Sequence, residues 1–217
     1  MPEPRETDLA ALFQAALDCL IEQRQPLNQL DTINGNHGDH MVEIFQAAVE
    51  AARQEGKSDL AEAMQNASLA LRGLSGNGSA HLYAQGLEQF ARQFRQHGIS
   101  LDDLLSYGHN LLREENEPEQ AAPGSTPSGT VLKALVAGLS GWSQSESERA
   151  GKAHSLSLGA LFELGMAYLQ AKGRGGSKVE ILADAAASAS PLGALPHRYQ
   201  SGKLAIQSLL QAMGQEG

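Results

Sequence analysis

The run Leu27-Asn28-Gln29-Leu30-Asp31-Thr32-Ile33-Asn34-Gly35-Asn36-His37-Gly38-Asp39-His40-Met41 crowds Asn, Asp, His and Gly between apolar helical segments. Polar side chains therefore converge where a helix is expected to begin. Two chemistries suit such a loop, because N–H groups at a helix N-terminus attract anions and side-chain oxygens attract hard cations. Asp31, Asn34 and Asn36 supply the oxygens for a cation. His37, Asp39 and His40 bring three potential metal ligands within four residues, but a closed zinc site draws four ligands at defined spacing, so zinc is not expected. An Asx-rich turn that caps the next helix accounts for the same residues, and both readings stay open on the loop alone.

The elements that must position this loop read as helices throughout. Apolar residues recur at helical spacing and alternating β-branched runs are absent, so the chain is expected to be all-α. A first helix from about Asp8 to Arg24, capped by Thr7 and ended by Pro26, buries Leu9, Leu12, Phe13, Ala16, Leu17 and Leu20. A second carries Met41, Ile44, Phe45, Ala48 and Ala52 and stops at Gly56; a third runs from Asp59 to Arg72 and ends on Gly73. Leu74 to Ser79 is a second glycine-rich junction, opening a helix with Leu82, Leu87, Phe90 and Phe94 that stops at Gly98.

Ser100 caps the next helix, with Asp102 and Asp103 in its first turn. Residues 114–128, acidic and then rich in Pro, Gly and Ser, read as a mobile surface loop. Thr130 to Gly141 reads as a helix, and Ser145 with Glu148 as a capping box for a long one reaching Lys172. After Gly173-Arg174-Gly175-Gly176, Ser177 with Glu180 opens a further helix that ends near Ser190. The last runs from about Tyr199 to Met213. If these helices pack up and down, alternate junctions collect at one end, where a shared site becomes reasonable.

Composition narrows the function. The 217 residues are enough for one large domain or two small ones with a core of their own, and a single helical domain over 1–217 is expected. No run approaches a membrane span and no signal peptide opens the chain, so a cytoplasmic protein is expected. A net charge of -9 disfavours nucleic acid and anionic membrane surfaces. The single Cys19 lies on an apolar pattern and reads as packing.

Isolated motifs fail. Gly56-Lys57-Ser58 lacks the upstream glycine of a phosphate loop, and Gly73 to Gly78 lacks the strand a dinucleotide fingerprint requires. In succession, however, the junctions resemble the nucleotide-binding L-subunit family of dihydroxyacetone kinases, which includes the ATP-binding domain of fatty acid kinases. That family carries Leu-Asn-x-Leu-Asp, then Asp-Gly-Asp-His-Gly, two variable residues and Met. Here Leu27 to Asp31 is followed by Asn34-Gly35-Asn36-His37-Gly38-Asp39-His40-Met41. Gly76-Asn77-Gly78-Ser79-Ala80-His81-Leu82-Tyr83 is similar to its second element, Gly129-Thr130-Val131-Leu132-Lys133-Ala134-Leu135 to its third, Lys172 to Gly176 to its fourth, and Ser190-Pro191-Leu192-Gly193-Ala194 to its fifth.

The resemblance implies an antiparallel barrel of about eight helices, with ADP or ATP at one end, and an interior that holds lipid in some members. It implies nucleotide contacts from His37, Gly38, Asp39, His40, Asn77, Gly78, Ser79, Thr130, Arg174, Pro191 and Gly193, and a Mg²⁺ site at Asp31, Asn34 and Asn36. A substrate-binding subunit of the dihydroxyacetone kinase type, or another protein, is the implied partner, and phosphoryl transfer the implied chemistry. The departures cut against that chemistry. Both acids of the metal motif are Asn34 and Asn36 here, Lys133 stands where the third element has an acid, and Ser190 replaces the acid of the fifth. Mg²⁺ prefers charged oxygens, and charge stabilisation is the main protein contribution to phosphoryl transfer, so impaired or altered magnesium use is expected. A non-catalytic module for a lipid or protein partner is the alternative. Arg174, Thr130 and Lys133 each also admit an ordinary helix-end or surface role.

Overall fold

The computed structural model describes residues 8–54, 59–113, 127–145 and 158–214, and every regular element among them is helical. Ten α-helices follow in order: α1 (Leu9–Glu22), α2 (Arg24–Leu30), α3 (His37–Gln54), α4 (Leu60–Arg72), α5 (Gly78–His97), α6 (Leu101–Arg113), α7 (Pro127–Ser145), α8 (Leu158–Arg174), α9 (Lys178–Ala189) and α10 (Pro196–Gly214), with a 3₁₀ turn at Pro191–Ala194. The six residues expected on the inner face of α1 are all buried. Among the described residues no helix is long and apolar enough to cross a membrane.

Local chemistry explains most boundaries. Asp8 caps α1 by accepting the Ala11 N–H at 2.7 Å, while Thr7 lies outside the described residues. Gly98 takes φ +63°, a backbone that favours glycine, and lets the Ile99 N–H reach back to the Phe94 carbonyl at 2.9 Å. Ser100 and Asp103 cap α6 reciprocally, as Ser177 and Glu180 cap α9. The expected mobile loop at 114–128 lies almost wholly outside the described residues, as do Gly56 and Glu148.

Several expectations are corrected. Pro26 does not end helical structure: the chain breaks at Gln23 and resumes as α2, whose first turn accommodates a proline because those N–H groups have no intrahelical acceptor. α4 does end on Gly73 as expected, with a right-handed backbone there, while Gly76 of the following turn takes a positive φ. Ser145 closes α7 rather than opening the next helix, and α10 begins three residues before Tyr199, at Pro196.

Neighbour relations run α9 to α10, α10 to α1, α1 to α3, α3 to α4, α4 to α5 and α5 to α7, with α6 touching both α7 and α10. The main core lies among α1, α3, α4 and α5, with contributions from α6, α7 and α10. α3 and α5 run parallel with their N-termini together: Asn77 bonds His40 and Glu43, and one turn on, Phe45 and Tyr83 meet ring to ring at 5.9 Å. α7 runs antiparallel to α5. Trp142 covers Gly86 and donates its indole N–H to the Leu82 carbonyl at 3.0 Å, whereas Gly138 faces Phe90. Rings seated on glycines let the two helices approach closely and fix their direction.

Candidate functional site

Three junctions far apart in sequence meet at one end of the molecule, where α3, α5 and α10 begin. In the first, Asp31 is buried and folds the loop around its carboxylate, accepting N–H groups from Ile33 at 3.0 Å, Asn34 at 3.3 Å and Asn36 at 3.4 Å. Burial pushes its pKa up, but those three N–H groups and neighbouring His197 outweigh it and leave the carboxyl below its ordinary value. Asn28, from α2, caps α3 in place of a residue adjacent in sequence. Its Oδ1 accepts the Gly38 N–H at 2.7 Å and the Asp39 N–H at 3.2 Å, and its Nδ2 donates to Asp39 Oδ2 at 2.9 Å.

The second junction is tied to the first by Asn77. Its Oδ1 accepts the Ala80 N–H at 3.0 Å, capping α5, and its Nδ2 donates to the His40 carbonyl at 3.0 Å and to Glu43 Oε2 at 2.9 Å. Ser79 is buried in the same turn, while Gly78 is exposed with open space around it. The third junction closes over both. Ser190 turns the chain by accepting the Leu192 N–H at 3.2 Å, and Leu192 packs with Leu82 and Trp142 while covering Gly202. Pro191 is half-buried and Gly193 is exposed on the outer side of that turn, against the last carbonyls of α9.

Inside these turns lies a buried polar cluster. His37 Nε2 meets Ser201 Oγ at 2.8 Å, and the His37 and His197 rings cross at 4.7 Å between centroids. His197 Nδ1 stands 3.9 Å from Asp31 Oδ1. Ser201 Oγ also donates to the Arg198 carbonyl at 3.0 Å, so His37 Nε2–H is the donor in the His37–Ser201 pair. Burial, followed by the charge of His197, holds the His37 pKa down from 6.5 to about 4, against the pull of Asp31. Burial likewise pushes the Tyr83 phenol far above its usual range.

His37 gives a pH dependence whose sign is fixed. The folded ring stays neutral where the unfolded ring takes a proton, so its stability contribution is present above about pH 6.5 and is lost as pH falls towards 4. A loss of about 2 kcal/mol is expected across that window. Urea unfolding at the two ends of it should show this loss for the wild type and a clearly smaller one for His37→Gln.

Two residues singled out in the sequence stand apart from this end. Because α7 is antiparallel to α5, Thr130 falls near the C-terminal end of α5, roughly 20 Å or more from Asn77 at 1.5 Å per residue. Arg174 ends α8 beside the start of α9, the end remote from Ser190, and its guanidinium pairs with Asp184 at 3.0 Å. His37, Gly38, Asp39, His40, Asn77, Ser79 and the 190–194 turn therefore share one rim; Thr130 and Arg174 lie elsewhere. The sequence reading missed His197, Arg198 and Ser201. Starting α10 at Tyr199 left the first two in a loop, whereas Pro196 at a helix start was the signal for them. No protein-family model, curated protein or solved structure matches the chain.

The residues Asp31, Asn34 and Asn36 do not suit Mg²⁺. The one carboxylate faces inward, holding its own loop and approached by His197, Asn34 is exposed, and Asn36 offers only a neutral amide oxygen, Oδ1, which is buried without a hydrogen-bond partner. Among the described residues no group of three His, Cys, Asp or Glu is placed to hold a metal ion. Binding of an octahedral hard cation needs more free charged oxygen than this loop offers.

Proposed function

We propose that this protein is a divergent relative of the dihydroxyacetone kinase L subunits whose rim binds ADP or ATP without the family's magnesium pair and without efficient phosphoryl transfer. The observation that carries the reading is the meeting of the first, second and fifth motif elements around His37, Asn77 and the 190–194 turn. The inward-facing Asp31 supports the loss of metal-dependent chemistry, since little countercharge remains for a transferring phosphoryl group. An antiparallel helical barrel belongs to the same proposal, supported by the neighbour relations that run from α10 through α1, α3, α4, α5 and α7 and return by α6. Calorimetric titration with ADP and ATP should give binding that is about equal in Mg²⁺ and in a chelator. Silence at several millimolar nucleotide in both conditions would sink the proposal.

A second reading, a non-catalytic binding or regulatory module for a lipid or protein partner, draws on a different observation. The N–H groups of the 31–36 turn and of the start of α3 already have acceptors in Asp31 and Asn28, which leaves few for a phosphate. Nucleotide binding with a dissociation constant in the micromolar range would decide against it.

A further inference from the structure

Two Asn-Gly pairs lie on the rim and are held in opposite ways. Asn34-Gly35 belongs to the exposed turn that wraps Asp31, and Asn77-Gly78 opens α5. In such a pair the glycine nitrogen can attack the Asn side-chain carbonyl, because no Cβ shields the approach. Whether the attack runs depends on how firmly each pair is tied down.

Asn77 is buried and uses both ends of its amide, accepting the Ala80 N–H and donating to the His40 carbonyl and to Glu43. Those three bonds must break before its Cγ can turn onto the Gly78 nitrogen. Asn34 is exposed, and neither its side-chain amide nor the Gly35 N–H has a hydrogen-bond partner among the described residues. Gly35 takes φ +69° with open space where a Cβ would stand. The turn is anchored on either side of this bond, by the Ile33, Asn34 and Asn36 N–H groups on Asp31, so the reacting atoms are presented and left free. Asn28, Asn66 and Asn110 are protected differently, since they lie within α2, α4 and α6, where the following N–H is committed to the helix.

We infer that Asn34 is a site of spontaneous deamidation, converted through a cyclic imide with Gly35 to aspartate and isoaspartate, while Asn77 is spared. The Gly35 nitrogen loses its proton to solvent base and bonds to Asn34 Cγ; the Cγ–Nδ2 bond breaks and the side-chain nitrogen leaves as ammonia. Water then opens the ring at either carbonyl. One water is consumed, one ammonia is released, and nothing is oxidised or reduced. Either product puts a carboxylate into the turn that Asp31 organises, and the isoaspartyl form also lengthens the backbone between the Asn34 and Asn36 N–H groups that Asp31 holds.

The test is peptide mapping by mass spectrometry of the full chain aged at mildly alkaline pH, folded and in urea, with isoaspartate counted separately by an isoaspartyl methyltransferase and a labelled methyl donor. In the folded protein the peptide holding Asn34 is expected to turn from amide to acid roughly a hundredfold faster than the one holding Asn77, the factor that three hydrogen bonds impose. In urea the two rates should converge, because both pairs are then equally free. Asn34→Gln, at an exposed position, keeps a neutral amide but disfavours the ring, and should remove most of the isoaspartate. Equal rates at Asn34 and Asn77 in the folded protein overturn the inference. So does an Asn34 rate that rises tenfold or more on unfolding, which would mean that the turn shields the bond, or isoaspartate that persists at the wild-type level in Asn34→Gln.

Discussion

Gly38→Ala is expected to destabilise the protein by about 3 kcal/mol or more, lowering the melting temperature by roughly 6–12 °C. A Cβ at this position would stand 2.1 Å from the Arg24 carbonyl oxygen and 2.9 Å from its carbon, and both belong to backbone that cannot swing aside. It would also come within 2.9 Å of Asn28 Oδ1, the atom that caps α3 by accepting the Gly38 and Asp39 N–H groups. Relieving the clash means separating α2 from α3, and separation breaks the cap. Gly78 makes the control. It opens α5 with open space around it and no positive φ, so Gly78→Ala is expected to be neutral or stabilising by up to about 1 kcal/mol. Thermal unfolding of the two variants side by side checks the contrast; equal, small shifts would mean that α2 and α3 are not packed this closely.

That contrast also marks what the sequence can and cannot tell. Both glycines sit in motif positions and look alike in the chain, yet one is fixed by the approach of a backbone carbonyl and the other is not. Helix existence was legible because periodicity is local: the buried face of α1 and the reciprocal caps of α6 and α9 follow from residues three or four apart. The gathering of junctions at one end was legible only as a consequence of up-and-down packing, and which residues meet there was not, since contacts such as His37 to Ser201 join positions 164 residues apart and leave no local signal. The placement of Thr130 and Arg174 was not legible at all. That of Thr130 depends on the direction in which α7 lies on α5, which is set by rings of Trp142 and Phe90 seated on glycines of the opposite helix, and that of Arg174 on its pairing with Asp184 of α9. Nor does the type of a residue disclose its partner: Asp31 reads as a metal ligand and Asn28 as part of a motif, whereas one holds its own loop and the other caps a neighbouring helix.

Asn77 is where the first two junctions are joined, and its substitutions separate capping from bridging. Asn77→Ala removes a helix cap and takes one donor from the part-buried His40 carbonyl, so a loss of about 2 kcal/mol is expected. Asp is as good a cap as Asn, and if Asn77 only capped α5 then Asn77→Asp would be harmless. Here the second face of the amide donates to the His40 carbonyl and to Glu43 Oε2, at 3.0 and 2.9 Å. A carboxylate at position 77 would turn both contacts repulsive while keeping the bond from the Ala80 N–H. Asn77→Asp is therefore expected to cost about as much as Asn77→Ala, and adding Glu43→Gln should recover on the order of 1 kcal/mol of the Asp variant's loss, because a neutral amide can donate to the new acid. The same Glu43→Gln change on the wild type should cost little, since Glu43 is exposed and water can replace its bond. Urea unfolding of the wild type, Asn77→Asp, Glu43→Gln and the double variant measures the coupling directly. If Asn77→Asp unfolds with the wild type, the joint between the turn at His40 and the start of α5 is not made by this side chain.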